Sequence, residues 1–325
     1  MRSTVRDNLM VEKRDIGTMF GAGTPSTFMG LPAIEAPSSI YNAVVVGAPC
    51  ATPYESVGAY CADAPNAIRS AISGYAANIL HMDFDFMEPL FPYGVDAADL
   101  GDLTYDEDDA DANRATIRNT VSAILDAGAV PVVIGGDDSI PIPMIQAFAG
   151  RGEYFVVQID AHIDWRDEVR GEKLGLSSTM RRAMEMDHIT GMLQVGQRGI
   201  GSARPLDYND ALAAGVQFVP ARQVAAEGIQ VAIDKVPAGA NVIVALDCDA
   251  LDPSIVPGVI GRAPGGLTYW NVVELLHGIA SKANLVAFDL VEFMPDVDVD
   301  AIGALNNARI ICNVLGLATR QAHSL

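Results

Sequence analysis

The sequence predicts an α/β fold, a mainly parallel sheet covered by helices on both faces. Short β-rich apolar runs recur along the chain, helix-like stretches separate them, and the runs are apolar on both sides, as buried parallel strands require. Residues 1–40 carry Gly, Pro and Ser at high density and read as an irregular arm draped on a core or a neighbouring subunit, with Phe20, Phe28, Met29 and Leu31 needing burial. Strand candidates follow at 43–48 (AVVVGA), 130–136 (VPVVIGG), 154–160 (YFVVQID), 192–196 (MLQVG), 216–219 (VQFV), 241–247 (NVIVALD) and 284–293 (NLVAFDLVEF). Helices are expected at 65–76, 113–128, 220–236 and 267–281. In the 113–128 segment Ile117, Val121, Ile124 and Leu125 recur at helical spacing, and Gly128 marks the C-terminal end. With no linker or repeat in sight, residues 41–325 read as a single domain.

Composition narrows the function. A formal charge of −20 opposes binding to nucleic acid or anionic lipid, both of which reward Lys/Arg stripes, and would attract a cationic small molecule. No window of about 18 apolar residues exists and the start is charged throughout, so no membrane partner and a cytoplasmic location are expected. Cys50, Cys61, Cys248 and Cys312 are scattered without zinc or redox spacing and read as buried free thiols. The acidic run 106–111 reads as a solvated face before a helix N-terminus.

In parallel sheets ligands collect beyond the carboxyl ends of the strands, and three of those ends are crowded with acids. The run 154–160 leads into Asp160, His162 and Asp164, which a strand's period of two would aim the same way. The run 241–247 leads into Asp247 and Asp249, with Cys248 sent to the opposite face. The run 130–136 ends in Gly135-Gly136-Asp137-Asp138-Ser139. Any one such pair could merely cap a following helix or turn. So many carboxylates together repel one another unless cations neutralise them, and hard oxygens with one imidazole suit Mn2+ or a similar divalent ion.

These segments carry a resemblance. Asp160-Ala161-His162-Ile163-Asp164 and Asp247-Cys248-Asp249-Ala250-Leu251-Asp252-Pro253 resemble the D-A-H-x-D and D-x-D-x-x-D-P signatures of the ureohydrolase (arginase/agmatinase) family, in the expected order. Gly135–Ser139 resembles its G-G-D-H-S, and the likeness extends from Thr27-Phe28-Met29-Gly30-Leu31-Pro32, typical of the agmatinase-like branch, through Val46-Gly47-Ala48-Pro49 to Leu290-Val291-Glu292-Phe293-Met294-Pro295.

The resemblance implies a three-layer αβα, arginase-like domain with an eight-stranded sheet, assembled as homo-trimers or hexamers. It implies two divalent ions, Mn2+ first and Ni2+ as the other candidate. Asp160 and Asp247 would bridge both, His162 and Asp249 would bind one, and Asp138 and Asp164 the other. The implied chemistry is metal-assisted attack of water on a guanidine carbon, with Asp164 passing a proton to the leaving amine and Glu292 pinning the cationic group. Urea or a substituted urea would leave with an amine, from agmatine, a guanidino acid, guanidine or a biguanide. Glu292 also reads as an ordinary strand-end carboxylate.

Two positions depart from the family pattern. Asp138 stands where the motif has His, so five aspartates face two cations instead of four, which predicts a less acidic bound water and an alkaline-shifted optimum. Asp138 could instead turn away, with one metal lost. Ser177 stands where a histidine assists substrate binding or proton transfer; alternatively Ser177 and Ser178 cap the helix suggested by 180–184. The loop after the D-A-H-x-D motif, with Arg166 in it, either selects substrate or is a solvated charged loop. The two departures motivate a rival function, a non-catalytic or weakly catalytic subunit in a hetero-oligomer with an active paralogue. A third reading keeps the fold and changes the bond cleaved to a formimino or amide bond.

Overall fold

The structure, a computed structural model, describes residues 25–324 together with Gly17, Met19, Gly21 and Gly23; Phe20, expected to be buried, lies outside the described residues. In chain order the elements are β1 (Ala43–Ala48), α1 (Ala64–Ser73), β2 (Met82–Asp83), β3 (Glu88–Pro89), β4 (Ala97–Asp102), α2 (Ala110–Asp126), β5 (Val130–Gly135), α3 (Pro141–Gln146), β6 (Tyr154–Ile159), α4 (Thr179–Met184), β7 (Ile189–Val195), α5 (Pro205–Ala213), β8 (Gln217–Val219), α6 (Ala221–Glu227), α7 (Gln230–Ile233), β9 (Asn241–Asp247), α8 (Tyr269–Lys282), β10 (Asn284–Val291) and α9 (Ile302–Ala322). Eight strands form one sheet in the order β4-β1-β5-β10-β9-β6-β7-β8, every neighbouring pair parallel, while β2 and β3 make a separate hairpin.

The alternation of each strand splits its residues between two apolar cores. On one face Val45, Val132, Val157, Val244 and Phe288 pack against Ile68 and Ile72 of α1, Leu275 and Leu276 of α8, and Ile310 and Ile311 of α9. On the other, Val46, Val133, Val156 and Ile243 meet Ile117, Val121 and Ile124 of α2, Met144 of α3, and Met180 and Ala183 of α4. This is the predicted three-layer arrangement, and burial on both sides is why the strands read as continuous apolar runs.

Several elements differ from expectation. β4, AADLGD, lacks β-branched residues; as an edge strand it pairs only with β1, and residues 32–34 cover part of its free side through Asp99 N–H to Pro32 O (2.9 Å) and Ile34 N–H to Asp99 O (3.0 Å). The single helix expected over 220–236 is two, because Gly228 (φ 84°) leaves the right-handed helical region. The C-terminal helix α9 was not singled out from sequence: it is buried nearly all round, so it shows no polar–apolar stripe, and Asp298 starts it by accepting from Gly303 N (3.0 Å) and Ala304 N (3.1 Å). α3, α5 and the β2–β3 hairpin were likewise not foreseen. Gly128 ends α2 at φ 81°, as expected, and Asp109 of the acidic run caps its start through Ala112 N (2.9 Å).

Phe28, Met29 and Leu31 are buried, and Phe28 N donates to Asp99 Oδ2 (2.6 Å), which the Arg69 guanidinium also grips (Nε to Oδ2 2.7 Å, Nη2 to Oδ1 2.9 Å). All four cysteines are buried and free. No helix among the described residues is long and apolar enough to cross a membrane.

Candidate metal and substrate site

The acids gather beyond the carboxyl ends of β5, β6, β9 and β10. They do so by a route that strand alternation alone misses. β6 stops at Ile159, so Asp160–Asp164 is a loop, and Asp164 reaches the site with a left-handed backbone (φ 43°). β9 stops at Asp247, whose Oδ1 accepts from Asp249 N (2.7 Å) and opens a 3-10 turn over Cys248–Ala250. Cys248 points away from the acids, its sulfur accepting from Asn307 Nδ2 (3.2 Å). After β5 the chain passes so close to Pro49 that a Cβ on Gly136 would lie 1.9 Å from its carbonyl oxygen, which only glycine allows.

The neighbouring acids Asp137 and Asp138 part company. Asp137 turns into the protein, accepting from Ala51 N (2.9 Å), Thr52 N (3.4 Å), Ser139 N (3.1 Å) and the Ser139 hydroxyl. Asp138 points inward to the site, and its Oδ2 is buried with no hydrogen bond among the described residues.

Two groups of side chains present ligand atoms within 4.8 Å of one another, Asp160–His162–Asp249 and Asp138–Asp160–Asp164, with Asp160 common to both. Asp247 belongs to neither by this distance, although it lines the same cavity. The carboxylates are half spent on the protein: Asp160 Oδ1 accepts from His162 N (2.6 Å), Asp249 Oδ1 from Ala161 N (3.1 Å), and Gln158 Nε2 donates to both Asp160 Oδ2 (2.6 Å) and Asp164 Oδ2 (2.7 Å). Gln194 donates in turn to Gln158 Oε1 and to Ile163 O. Turn-capping and site-building are thus done by the same aspartates.

The electrostatics show what this crowding costs. Burial, then the charges of Asp164 and Asp160, push Asp138 well above the usual carboxylate range. Burial followed by neighbouring aspartates does the same to Asp164 and Asp247, and raises Asp249. Burial also works to raise Asp160, but its contacts with His162 and Asp164 outweigh that and hold it low. Between Asp160 and Asp249 (Nδ1 to Oδ2 2.9 Å), hydrogen bonding pushes the His162 imidazole up to about 12. Acids that can stay charged only against a trapped proton are what a divalent cation relieves, and the oxygen-plus-imidazole donor set with an unpartnered Asp138 oxygen fits one.

Above the acids opens a cavity of about 270 Å³, with His162, Asp138, Asp164, Asp247, Asp249 and Glu292 among its lining residues. Glu292 follows β10 with φ 64°, and its Oε1 accepts from the Tyr60 hydroxyl and from Asp138 N (2.8 Å); burial raises its carboxyl to about 8. Ser177 and Arg166 also line the cavity, brought together by Arg166 N–H to Ser177 O (2.9 Å). The Arg166 guanidinium makes no ion pair or hydrogen bond among the described residues, whereas Arg204, another lining residue, is held by Asp207 (2.6 and 2.7 Å). The alternative capping role is not seen at Ser178, which precedes α4 without a side-chain cap, and Ser177 lines the cavity. His81, His188, His277 and His323 lie outside both ligand groups.

Sequence reasoning missed Tyr60, Gln158 and Gln194 as parts of the site. Gln158 and Gln194 carried a signal, since each is a polar residue flanked by apolar residues near the carboxyl end of a buried strand, and Gln158 stands two residues before Asp160. Asp289 carries the same signal in β10; it is fully buried, neither oxygen has a hydrogen bond among the described residues, and its charge is one of those that raise Asp138.

A parallel eight-stranded sheet with an acid–imidazole cluster at its carboxyl edge places the chain among α/β proteins with a candidate metal site at the strand ends. Residues 41–316 match the Arginase family, and the chain belongs to that family. It is similar to a guanidinobutyrase of Pseudomonas aeruginosa, 27% identical across 90% of this chain and 92% of the relative. An N(1)-aminopropylagmatine ureohydrolase of Thermus thermophilus is 31% identical over 66% of this chain and 71% of its own length. Among solved structures, proclavaminate amidino hydrolase from Streptomyces clavuligerus superposes with a TM-score of 0.80 at 29% identity, covering 92% of this chain and 98% of the other.

Proposed function

We propose that this chain is a metal-dependent amidinohydrolase that cleaves a C–N bond of a guanidino compound, releasing urea or a substituted urea and an amine. The observation that carries the proposal is the pair of ligand groups joined through Asp160. Asp160 would be shared, His162 and Asp249 would complete one position, and Asp138 and Asp164 the other; Asp247, which lines the cavity outside both groups, would join Asp160 as a shared ligand on the family resemblance alone. Two divalent ions there, manganese or nickel, would neutralise the acids and acidify a water molecule for attack on the guanidine carbon.

The chain's own groups do the rest. Glu292 has one oxygen occupied by Tyr60 and the Asp138 amide, which fixes the carboxylate and leaves Oε2 for the substrate's cationic nitrogen. Asp164, in the cavity lining, would accept a proton from the attacking water and deliver it to the leaving nitrogen. Ser177 offers a hydroxyl that orients without titrating near neutrality. Arg166 stands in the lining with a guanidinium that has no partner among the described residues, which favours a substrate tail that is neutral or anionic over a second cation, against the general pull of the acidic surface on cations. The reading also takes the chain as cytoplasmic and as assembling with copies of itself, in threes or sixes, with residues 1–40 as an arm and 41–325 as the catalytic domain.

A second reading is a weakly catalytic subunit working beside an active paralogue. It is favoured by Asp138, which stands where the family motif has an imidazole and whose buried Oδ2 has no hydrogen bond among the described residues, and by the buried Asp289, which acts on Asp138 electrostatically. The test is product release by the chain expressed alone and loaded with manganese or nickel, offered guanidine, agmatine, 4-guanidinobutyrate and dimethylbiguanide. Urea or a substituted urea from one of them is the expected result. A fully loaded chain that releases none from any of them contradicts the proposal, and formamide released from a formimino compound offered alongside, with all four guanidino compounds left intact, moves the chemistry to a different bond.

A further inference from the structure

We propose that Arg198 is a positioning residue for the Asp160–His162–Asp249 group, a clamp that ties three separate loops around it; this rests on the reading of that group as a metal position. Arg198 follows β7, and its backbone N–H donates to Ala161 O (3.2 Å), between Asp160 and His162. Its guanidinium then reaches the turn that carries Asp249: Nη2 donates to Asp249 O (2.6 Å) and Leu251 O (3.2 Å), and Nη1 to Ala250 O (3.1 Å) and Gly196 O (3.3 Å). A third loop is held through Ala263 O, which accepts from Nε (3.0 Å) and Nη2 (2.8 Å).

Every hydrogen-bonding nitrogen of the fork is thereby engaged, and every acceptor is a backbone carbonyl. That choice is informative, because Asp249, Asp160, Asp252 and Asp247 all act on Arg198 electrostatically yet none of their carboxylates takes a hydrogen bond from it. A guanidinium used as a counter-ion would pair with a carboxylate. One spent on carbonyls sets geometry instead. The geometry matters at Gly261, two residues before Ala263: a Cβ there would lie 3.4 Å from His162 Cε1 and 3.5 Å from Asp249 Oδ2, so the third loop abuts the ligand atoms themselves. Holding Ala263 therefore holds the wall against which His162 and Asp249 are set. Lysine keeps the charge but has no planar fork to span three loops.

The experiment uses the full chain, stripped of metal and titrated with manganese, with amide hydrogen exchange measured in parallel. Arg198→Met is expected to weaken the tighter manganese-binding step by about 10- to 100-fold, the usual effect of losing an outer partner of a metal ligand, and to speed exchange across 249–266. Arg198→Lys is expected to recover part of the affinity but not the protection. A folded Arg198→Met that binds manganese as the unaltered chain does overturns the proposal. Should that variant not fold, Arg198→Lys decides alone: unaltered affinity and exchange overturn it, and several-fold weaker binding with faster exchange supports it. If the unaltered chain takes up no manganese, the metal reading fails on its own, while exchange across 249–266 in the metal-free variants still tests the clamp.

Discussion

The two halves of the acid cluster are built differently although they share Asp160. On the Asp160–His162–Asp249 side each carboxylate has an oxygen held by a backbone amide, an imidazole sits between two acids, and Arg198 binds the carbonyls behind. On the Asp138–Asp164 side there is no imidazole. Asp138 Oδ2 has no partner among the described residues, Asp164 depends on a left-handed backbone and one Gln158 donor, and the buried Asp289 adds charge nearby. One half is buttressed by its own fold, and the other relies on whatever cation it meets. Removing one member of a buried charge cluster leaves the remainder uncompensated, so the halves should respond unequally to substitution.

The largest effect belongs to the shared residue. Asp160→Ala should abolish manganese binding at both positions and reduce turnover to background, whereas His162→Ala should remove the tighter position and leave a weak one; calorimetric titration separates the outcomes, and equal loss in both variants would erase the distinction between the halves. Next is Glu292→Gln, which keeps the shape and removes the ionisable carboxyl that a cationic substrate would hold charged. Losing one charge-assisted hydrogen bond costs roughly 1.5–3 kcal/mol, so kcat/KM should fall about 10- to 150-fold, with manganese uptake unchanged. A fall in manganese content instead would make Glu292 part of the metal shell.

A smaller and more telling change is Asp138→His. It takes one negative charge from the weaker half and supplies the missing imidazole. A less negative shell makes bound water more acidic, so the acid limb of the pH–rate profile should move to lower pH, and manganese should bind the second position more tightly. A profile that stays in place shows that Asp138 does not set the water's acidity. Smallest is the tail preference: exchanging Arg166 for Gln should raise KM for 4-guanidinobutyrate severalfold and leave agmatine unchanged or improved, since an exposed ion pair contributes roughly 0.2–1 kcal/mol. Equal effects on both substrates would remove Arg166 from substrate selection.

Much of this was legible in the sequence, for a physical reason. Strand-end residues are fixed by the sheet, so a motif placed directly after an apolar run lands where the run ends, and Asp138, Asp160, His162, Asp164, Asp247, Asp249 and Glu292 are all found around one cavity or just beneath it. What could not be read were contacts made across the chain. Asp137 and Asp138 are adjacent and chemically identical, and only the approach of Pro49 and the amides of Ala51 and Thr52 decides which one turns away. Tyr60 and Arg198 meet the site from distant segments, and nothing in their local sequence marks them. β4 was invisible because an edge strand needs few branched residues, and α9 because burial on every side erases its stripe.

The central claim, that these acids are gathered to hold cations, is tested most directly by titrating the metal-free chain with manganese in two buffers of different ionisation enthalpy. The account predicts two ions bound per chain, the second more weakly, with protons released, because His162 and the raised carboxyls must give theirs up, and with affinity increasing as pH rises. Uptake of less than one ion per folded chain, or uptake without proton release, would contradict it.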